Sequence, residues 1–303
     1  MLKRVITVAA IAAWALAGPA EAAEVKLTDD KTLSLSAEHG TYMWTDDAPG
    51  TPQAEVIWRD GSVVSREKRV LYGRVGSDAT GQVKRLTLDC NGNGADCTVF
   101  SQPIDGGESE PLAGGFGRAA IAESDGVLAV SVYEQATYVR APGSDAIRRA
   151  TTRWGDVEVD GTNLLITTQQ GRPGKRQIRL VNFSGPKSVS RRIALDDPAD
   201  TACNCRVAHR IAGPARIDRG YVYWLENRDL ISRKGVYSGT TSRVLGVKIA
   251  SKRPSVQGFN LPRATEYWDV DGGKLLYNNG DPHFGGIYLE TAPQFKRTKQ
   301  KTG

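Results

Sequence analysis

Short runs of β-branched, aromatic and aliphatic residues recur along the whole chain. They are separated by clusters of Gly, Asp and Asn, which favour turns. No stretch keeps apolar residues at the i, i+3, i+4, i+7 spacing over three helical turns, so we expect helices to contribute little. The pattern predicts an all-β protein with strands at Tyr42–Trp44, Glu55–Trp58, Val83–Leu88, Val127–Tyr133, Leu164–Thr168, Tyr221–Leu225 and Leu275–Tyr277.

A weak internal repeat gives this β pattern a period. Val159–Ile166 aligns without gaps with Val270–Tyr277, and both segments place an acidic residue and a glycine before an apolar strand. With looser copies, the repeat recurs at positions 39, 78, 125, 160, 218 and 271, at intervals of 35 to 58 residues. One propeller blade is typically about 40 to 50 residues long. The repeat therefore predicts a six-bladed β-propeller. Seven blades of about 40 residues each would also fit the length of the chain.

The acidic residue and glycine of each copy are interpreted as a tight turn. Such a turn needs positive φ and would join the first two strands of a blade, with a buried strand following it. A second hairpin of the same kind is predicted at Glu55–Val64. We therefore expect these acidic residues to be turn residues first.

One copy of the repeat carries a family resemblance. Tyr267–Tyr277 resembles the TolB-type propeller repeat, which has an aromatic residue, a turn of the Ser-Pro-Asp-Gly kind, a lysine and an aliphatic-aromatic strand. Val270 stands where that family has its proline. Leu88–Val99 is also similar to the cysteine-bridged hairpin of exported propeller proteins. The resemblance implies a propeller fold and the binding of proteins or glycans, and it implies no catalytic chemistry.

The two ends of the chain differ from the repeats. Residues 1–22 have a cationic start, an apolar run of 13 residues and a small-residue site ending at Ala22, which predicts a cleaved signal peptide. The apolar run is shorter than the roughly 20 residues that cross a bilayer. We expect a secreted, periplasmic or cell-envelope protein with one propeller domain over 23–295, closed by pairing of Glu24–Thr28 with Gly286–Glu290, and a basic flexible tail over 296–303.

The four cysteines would be exposed to an oxidising compartment, where pairing is favoured. Cys90 and Cys97 flank a turn-rich segment between two predicted strands, so we expect a disulfide across this hairpin. Cys203 and Cys205 are two residues apart, and their α-carbons in a strand would lie near the upper limit for a bridge. Three interpretations of Cys203 and Cys205 remain open: a strained local disulfide, a redox-active or metal-binding pair, and cross-pairing with the first two cysteines.

Motifs for metal or cofactor binding do not stand out. The three histidines, at positions 39, 209 and 283, lack the spacing of a zinc-binding helix. Asp89, Asn91 and Asn93 match the start of a calcium loop, but Phe100 stands where such a loop needs glutamate. The chain has no nucleophile-elbow or phosphate-loop motif. We expect no cofactor and no bound metal.

The net charge of +6 is modest and does not predict nucleic-acid binding. The charge is uneven, because residues 140–192 contain eleven Lys and Arg against four Asp and Glu, a local excess of seven. This stretch is either an ordinary solvated basic surface or a patch for an anionic glycan, a lipid headgroup or an acidic envelope protein. If it is a patch, we expect Arg172, Lys175 and Arg176 to carry the anion binding.

We therefore interpret the chain as an exported binding or scaffold protein that uses one face of a propeller. The alternative is a propeller enzyme, such as a lactonase, lyase or glycosidase, with carboxylates at the mouth of the channel. Asp46, Asp47, Asp281 and His283 are the candidate residues for that alternative. Convergent carboxylates about 5 to 9 Å apart would favour the enzyme. A face of aromatic residues and arginines would favour binding.

Overall fold

The computed structural model describes residues 24–47, 53–68, 73–92, 94–170, 175–195, 209–231, 237–251, 255–280 and 285–298. These residues form six antiparallel sheets that are arranged in a ring as the blades of a β-propeller. The predicted fold class and the six blades are confirmed. The predicted signal peptide over 1–22 lies outside the described residues. The described part of the chain contains no helix with the length and apolar character needed to cross a bilayer.

The first strand, β1 (Glu24–Thr28), belongs to the last blade. Blade 1 contains β2 (Thr32–Glu38), β3 (Thr41–Asp46), β4 (Ala54–Arg59) and β5 (Ser62–Lys68). Blade 2 contains β6 (Gly73–Ser77), β7 (Val83–Cys90), β8 (Cys97–Pro103) and β9 (Glu110–Phe116). Blade 3 contains β10 (Ala119–Ser124), β11 (Val127–Val132), β12 (Ala136–Arg140) and β13 (Ile147–Thr151).

Blade 4 contains β14 (Asp156–Asp160), β15 (Asn163–Gln170), β16 (Lys175–Asn182) and β17 (Val189–Leu195). Blade 5 contains β18 (His209–Asp218), β19 (Tyr221–Ile231), β20 (Tyr237–Lys248) and β21 (Gln257–Asn260). Blade 6 contains β22 (Trp268–Asp271), β23 (Lys274–Asn278) and β24 (Ile287–Glu290), and the last described strand is β25 (Lys296–Arg297). The first strand of each sheet, from β2 to β22, contacts the first strand of the next blade, so these six inner strands surround the central channel.

The first and last strands of the described part of the chain each pair with a blade. Strand β1 pairs antiparallel with β24, with Val25 opposite Leu289, so the start of the chain completes the last blade as predicted. The predicted tail, by contrast, is ordered at its first two residues. Lys296 and Arg297 extend blade 5 by pairing with β21, opposite Gly258 and Gln257. Residues 299–303 lie outside the described part of the chain.

The internal repeat corresponds to the turn between the first and second strands of each blade. In five of the six blades this turn has two central residues, as in Asp125-Gly126, where φ is 49° and 77°. Positive φ at both positions is the type I′ geometry that matches the twist of a hairpin. A Cβ atom on Gly126 would also lie 2.8 Å from the backbone nitrogen of Ala79, so this position requires glycine. The predicted turn role of the repeat is confirmed.

The core lies between blades rather than at a single centre. Among the described residues, six hydrophobic clusters fill the six interfaces between neighbouring blades. At the interface of blades 4 and 5, for example, Trp224 belongs to the same cluster as Leu165 and Ile178. Burying such residues stabilises each interface by roughly 25 cal/mol per Å² of apolar surface. The ring is therefore held together by contacts of each blade with its two neighbours.

Candidate functional site

The middle of the channel is filled by charged side chains from the inner strands. Arg216 on β18 lies with its Nε 2.7 Å from Oδ1 of Asp269 on β22, and with its Nη1 3.2 Å from Oε2 of Glu158 on β14. Arg74 on β6 pairs with the other carboxylate oxygen of Glu158. Two cations thus alternate with two anions across four blades. Buried charges are tolerated when they are paired and hydrogen-bonded in this way.

Arg74 also reaches the backbone of two further blades. Its Nη1 donates to the carbonyl oxygens of Ile121, at 3.1 Å, and Val157, at 3.3 Å. This guanidinium group therefore bridges the inner strands of blades 2, 3 and 4, and its buried Nε is left without a described hydrogen-bond partner.

At the channel end that carries the repeated turns, a carboxyl group joins the inner strands of blades 1, 2 and 3. Glu38, the last residue of β2, accepts hydrogen bonds from the hydroxyl groups of Ser77, at 2.5 Å, and Ser124, at 3.2 Å. These serines are the last residues of the inner strands of blades 2 and 3. Burial raises the pKa of Glu38 to about 7, because the charged form loses its hydration. The neutral acid is therefore substantially populated at neutral pH.

The opposite end of the channel opens into a pocket of about 500 Å³. It lies where the inner strands of blades 2, 3 and 4 begin, and it continues over the hairpin that joins β7 to β8. Most of its wall is apolar, and Arg74 forms part of its floor. The described lining residues are Ser34, Gly73, Arg74, Leu88, Cys90, Gly94, Arg118, Ala119, Ala120, Ile121, Tyr133, Asp156 and Pro214.

A disulfide fixes one side of this pocket. Cys90 and Cys97 are bonded and lie opposite each other at the ends of β7 and β8, so the predicted bridge is confirmed. Cys97 is fully buried, and Cys90 contributes to the pocket wall. Cross-linking a short hairpin limits the freedom of the turn between the strands. The disulfide therefore shapes the pocket as well as stabilising blade 2.

Tyr133 and a second arginine, Arg118, line the rim of the pocket, and Trp154 packs against Tyr133. Tyr133 lies in the turn between β11 and β12, and Trp154 lies in the connection from blade 3 to blade 4. Their ring centroids are 5.6 Å apart in an edge-to-face arrangement. The guanidinium carbon of Arg118 lies 5.4 Å from the Tyr133 ring centroid. The rim thus offers aromatic surface next to a cation, an arrangement suited to a ligand with both apolar and anionic parts.

Asp156 is the carboxylate in the described lining of the pocket. Burial raises its pKa, while the charges of Arg216, Arg176 and Arg74 lower it and that of Glu158 raises it. No described residue donates a hydrogen bond to this carboxylate. A half-buried carboxyl group of this kind could accept a ligand hydrogen bond or release a proton.

The two predicted channel-mouth residues that the structure describes lie outside this pocket. Asp46 is buried at the end of β3, where it pairs with Arg66 at 2.7 Å. Asp47 follows it and accepts a hydrogen bond from the amide of Gln53 at 2.8 Å. Neither residue lines the pocket. The two other candidates, residues 281 and 283, lie outside the described residues.

The predicted anion-binding residues are only partly described. Arg176 donates from its Nη1 to the carbonyl oxygen of Ile211 at 3.0 Å. Residue 172 lies outside the described residues, and so does the side chain of residue 175. Cys203 and Cys205 also lie outside the described part of the chain, so their pairing stays a prediction. Among the described residues, no group of three or more His, Cys, Asp or Glu side chains is arranged to hold a metal ion.

The sequence patterns did not predict the charged side chains inside the channel, although the internal repeat contains a signal for them. Glu158, Arg216 and Asp269 each lie two residues before the acidic residue that ends their inner strand. Alternation along a strand places such residues on the same face in every blade. Aligning the repeats at the turn therefore brings an acid, a base and an acid to equivalent positions in blades 4, 5 and 6.

Comparison with one solved propeller structure supports the fold. The chain is similar to the β-propeller domain of the Trilobed protease from Pyrococcus furiosus, a domain with an open velcro topology, with a TM-score of 0.55, 9% identity and coverage of 89% of this chain and 98% of that one. The β-propeller domain of Cps50 from Myceliophteria thermophila matches with a TM-score of 0.41, 9% identity and coverage of 88% and 98%. A neuraminidase-like protein of A/flat-faced bat/Peru matches with a TM-score of 0.47, 11% identity and coverage of 91% and 92%. No protein-family model and no curated protein sequence matches the chain.

Proposed function

We propose that this protein is an exported binding protein that takes a small amphipathic anion into the mouth of its central channel. The observation that carries the proposal is the pocket of about 500 Å³ at the start of the inner strands. Its size falls within the roughly 300 to 1,000 Å³ typical of small-molecule sites. Its wall is mainly apolar, and polar groups enter it at a few points, as in most such sites.

The two arginines support an anionic ligand. Arg118 is exposed at the rim, and no carboxylate of the described residues pairs with it. Arg74 on the floor is already paired with Glu158 but has a buried Nε without a described partner. An anionic group near Arg118 would gain a charge-assisted hydrogen bond, while its apolar part would contact Leu88 and Pro214.

The enzyme alternative is less well supported by this pocket. Glycoside hydrolysis usually requires two carboxyl groups on opposite sides of the scissile bond. In the described lining of the pocket, Asp156 is the one carboxylate, and the nearby Glu158 is engaged by two arginines. Arginines and aromatic residues at the rim are the features expected of a binding face.

Export and a TolB-type relationship are part of the proposal. The disulfide between Cys90 and Cys97 supports export, because such bonds persist mainly in oxidising compartments. Six blades with a repeated turn at the end of each inner strand support the relationship to TolB-type propellers. The mass of the mature protein would test export, since cleavage after Ala22 predicts a chain that begins at Ala23.

The binding proposal can be tested with 1-anilinonaphthalene-8-sulfonate, a fluorescent probe with an apolar body and one anionic group. We expect saturable one-to-one binding to the folded protein, with enhanced probe fluorescence and quenching of Trp154. Replacing Ala120 with Trp should fill the pocket and abolish binding. Replacing Arg118 with Gln should weaken binding roughly tenfold, the expected effect of losing one charged hydrogen bond.

Two control variants match these changes outside the pocket. Ala146→Trp adds the same side chain at an exposed loop position, and Arg149→Gln removes the same charge from an exposed position on β13. Both should bind the probe as the unmodified protein does. Equal binding by Ala120→Trp and Ala146→Trp, with both proteins folded by circular dichroism, would refute the proposed pocket.

A further inference from the structure

The basic stretch over residues 140–192 is divided by the fold into an acidic inner part and a basic outer part. Asp156, Glu158 and Asp160, three of its four acidic residues, all lie on the inner strand β14. Its arginines are concentrated on the outer strands β13, β16 and β17 of blades 3 and 4, at positions 148, 149, 176, 179, 191 and 192. The acidic and basic side chains, whose charges partly cancel in the sequence, thus lie in different places in the structure.

Two of these arginines are direct cross-strand neighbours. Arg179 on β16 lies opposite Arg192 on β17 in the antiparallel register, so both side chains project from the same face of the sheet. Like charges in such a pair destabilise the sheet. The side-chain hydrogen-bond partners of Arg179 are neutral: its Nε donates to Oε1 of Gln177 at 2.7 Å, and its Nη1 lies 3.5 Å from Oγ of Ser190.

A third arginine approaches the same place from the neighbouring blade. Arg153 lies in the connection from β13 to β14, and its backbone is held by Thr137 and Thr151. Burial and the nearby charges of Arg153 and Arg192 lower the pKa of Arg179. No carboxylate among the described residues pairs with any of the three arginines. Their mutual repulsion is therefore not offset by a protein group in the described part of the chain.

We propose that Arg153, Arg179 and Arg192 form a binding site for a phosphate or sulfate group, on the outer side of blades 3 and 4. Each guanidinium group presents up to five donors in a planar fork, and a tetrahedral oxyanion can accept several of them at once. A bound oxyanion would attract each of the three guanidinium groups and so offset the repulsion among them. This site is distinct from the channel-mouth pocket and from the residues predicted at 172, 175 and 176.

The test uses inorganic pyrophosphate as the probe and calorimetric titration as the measurement. We expect saturable binding at about 20 mM salt that weakens at about 150 mM, where the screening length is about 8 Å. Arg192→Gln should weaken binding roughly tenfold, as expected for loss of a charged hydrogen bond. Arg179→Gln should have a similar effect.

Arg191→Gln is the matched control. Arg191 is the neighbour of Arg192 on the same strand. Its cross-strand neighbour is Leu180, and its guanidinium group donates to the carbonyl oxygen of Ile249 in blade 5. This variant carries the same change in net charge and should bind pyrophosphate within about twofold of the unmodified protein. Absence of saturable binding by the unmodified protein, or equal weakening by Arg191→Gln and Arg192→Gln, would overturn the proposal.

A second arm distinguishes the source of the oxyanion. Vesicles of phosphatidylglycerol in phosphatidylcholine are compared with pyrophosphate, using the unmodified protein, Arg192→Gln and Arg191→Gln. Retention on the vesicles that is lost in Arg192→Gln and kept in Arg191→Gln assigns the site to a lipid headgroup. Pyrophosphate binding without vesicle retention assigns it to a soluble phosphate or sulfate ester.

Discussion

The carboxylate of Asp271, in the last blade, accepts a 2.6 Å hydrogen bond from the backbone amide of Gly40, in the first blade. Its other oxygen accepts a 3.0 Å bond from the amide of His39. Asp218 bonds in the same way to the turn of blade 6. The acidic residue that ends an inner strand thus holds the turn of the following blade, and one such contact spans the junction between the two ends of the ring.

Replacing Asp271 with Ala should therefore weaken ring closure. The variant leaves two backbone amides without their charged acceptor, and we expect the free energy of unfolding to fall by roughly 1 to 3 kcal/mol. Urea unfolding followed by tryptophan fluorescence measures this change. Asp145→Ala, at an exposed position, is the control and should change stability by less than about 0.5 kcal/mol. Equal stability of the two variants would show that the contact does not contribute to ring closure.

The sequence predicts the blades and their turns well because both are local features. A turn such as Asp125-Gly126 is specified by two residues that tolerate positive φ, and each strand by a short apolar run. Pairing of β1 with β24 was also predictable, since a ring needs one terminal strand to complete the last sheet. The disulfide between Cys90 and Cys97 follows from the short hairpin between them.

The site was less predictable because it is assembled from distant parts of the chain. Arg74 and Glu158 are 84 residues apart, and only ring closure brings them together across the channel. Asp46 illustrates the opposite case: it has the sequence context of a turn acid, but Arg66 on the same blade neutralises it. A carboxylate that is paired within its blade cannot be recognised from the local sequence.

The charges inside the channel give a second stability prediction. Replacing Arg216 with Met would leave Asp269 buried without its cation, and breaking a buried pair from one side costs about 3 to 5 kcal/mol. The double variant Arg216→Met with Asp269→Asn removes the uncompensated charge and should recover part of that loss. Arg149→Met on the exposed face is the control. Thermal and urea unfolding of the four proteins measure the effect, and a loss below about 1 kcal/mol in Arg216→Met would contradict it.

Gly155 lies where no larger residue fits. A Cβ atom there would lie 2.2 Å from the carbonyl oxygen of Thr167, and the φ of Gly155 is +152°. We expect Gly155→Ala to destabilise the protein by about 3 kcal/mol or more, because the inner strand β14 must shift away from β15. Gly92→Ala, where a Cβ atom meets open space, should be nearly neutral. The measurement is urea unfolding, with the yield of folded protein as a second readout.

The raised pKa of Glu38 predicts how the free energy of unfolding depends on pH. Its pKa is about 7 in the folded protein, against an ordinary value of 4.5, so between these values the folded state holds a proton that the unfolded chain has released. The contribution of Glu38 to the free energy of unfolding is therefore largest below pH 4.5, falls as the pH rises to about 7, and is constant above it. A rise in pKa from 4.5 to about 7 corresponds to a fall of roughly 3 kcal/mol.

The variant Glu38→Gln isolates this effect because Gln cannot ionise but keeps an oxygen to accept the hydroxyl groups of Ser77 and Ser124. We expect Glu38→Gln to gain stability relative to the unmodified protein as the pH rises from about 5 to about 8. Urea unfolding at several pH values measures the difference in the free energy of unfolding between the variant and the unmodified protein. For the control Glu108→Gln, at an exposed position, this difference should not change with pH. If the difference for Glu38→Gln is also constant with pH, then Glu38 ionises alike in the folded and unfolded protein, and its burial does not raise its pKa.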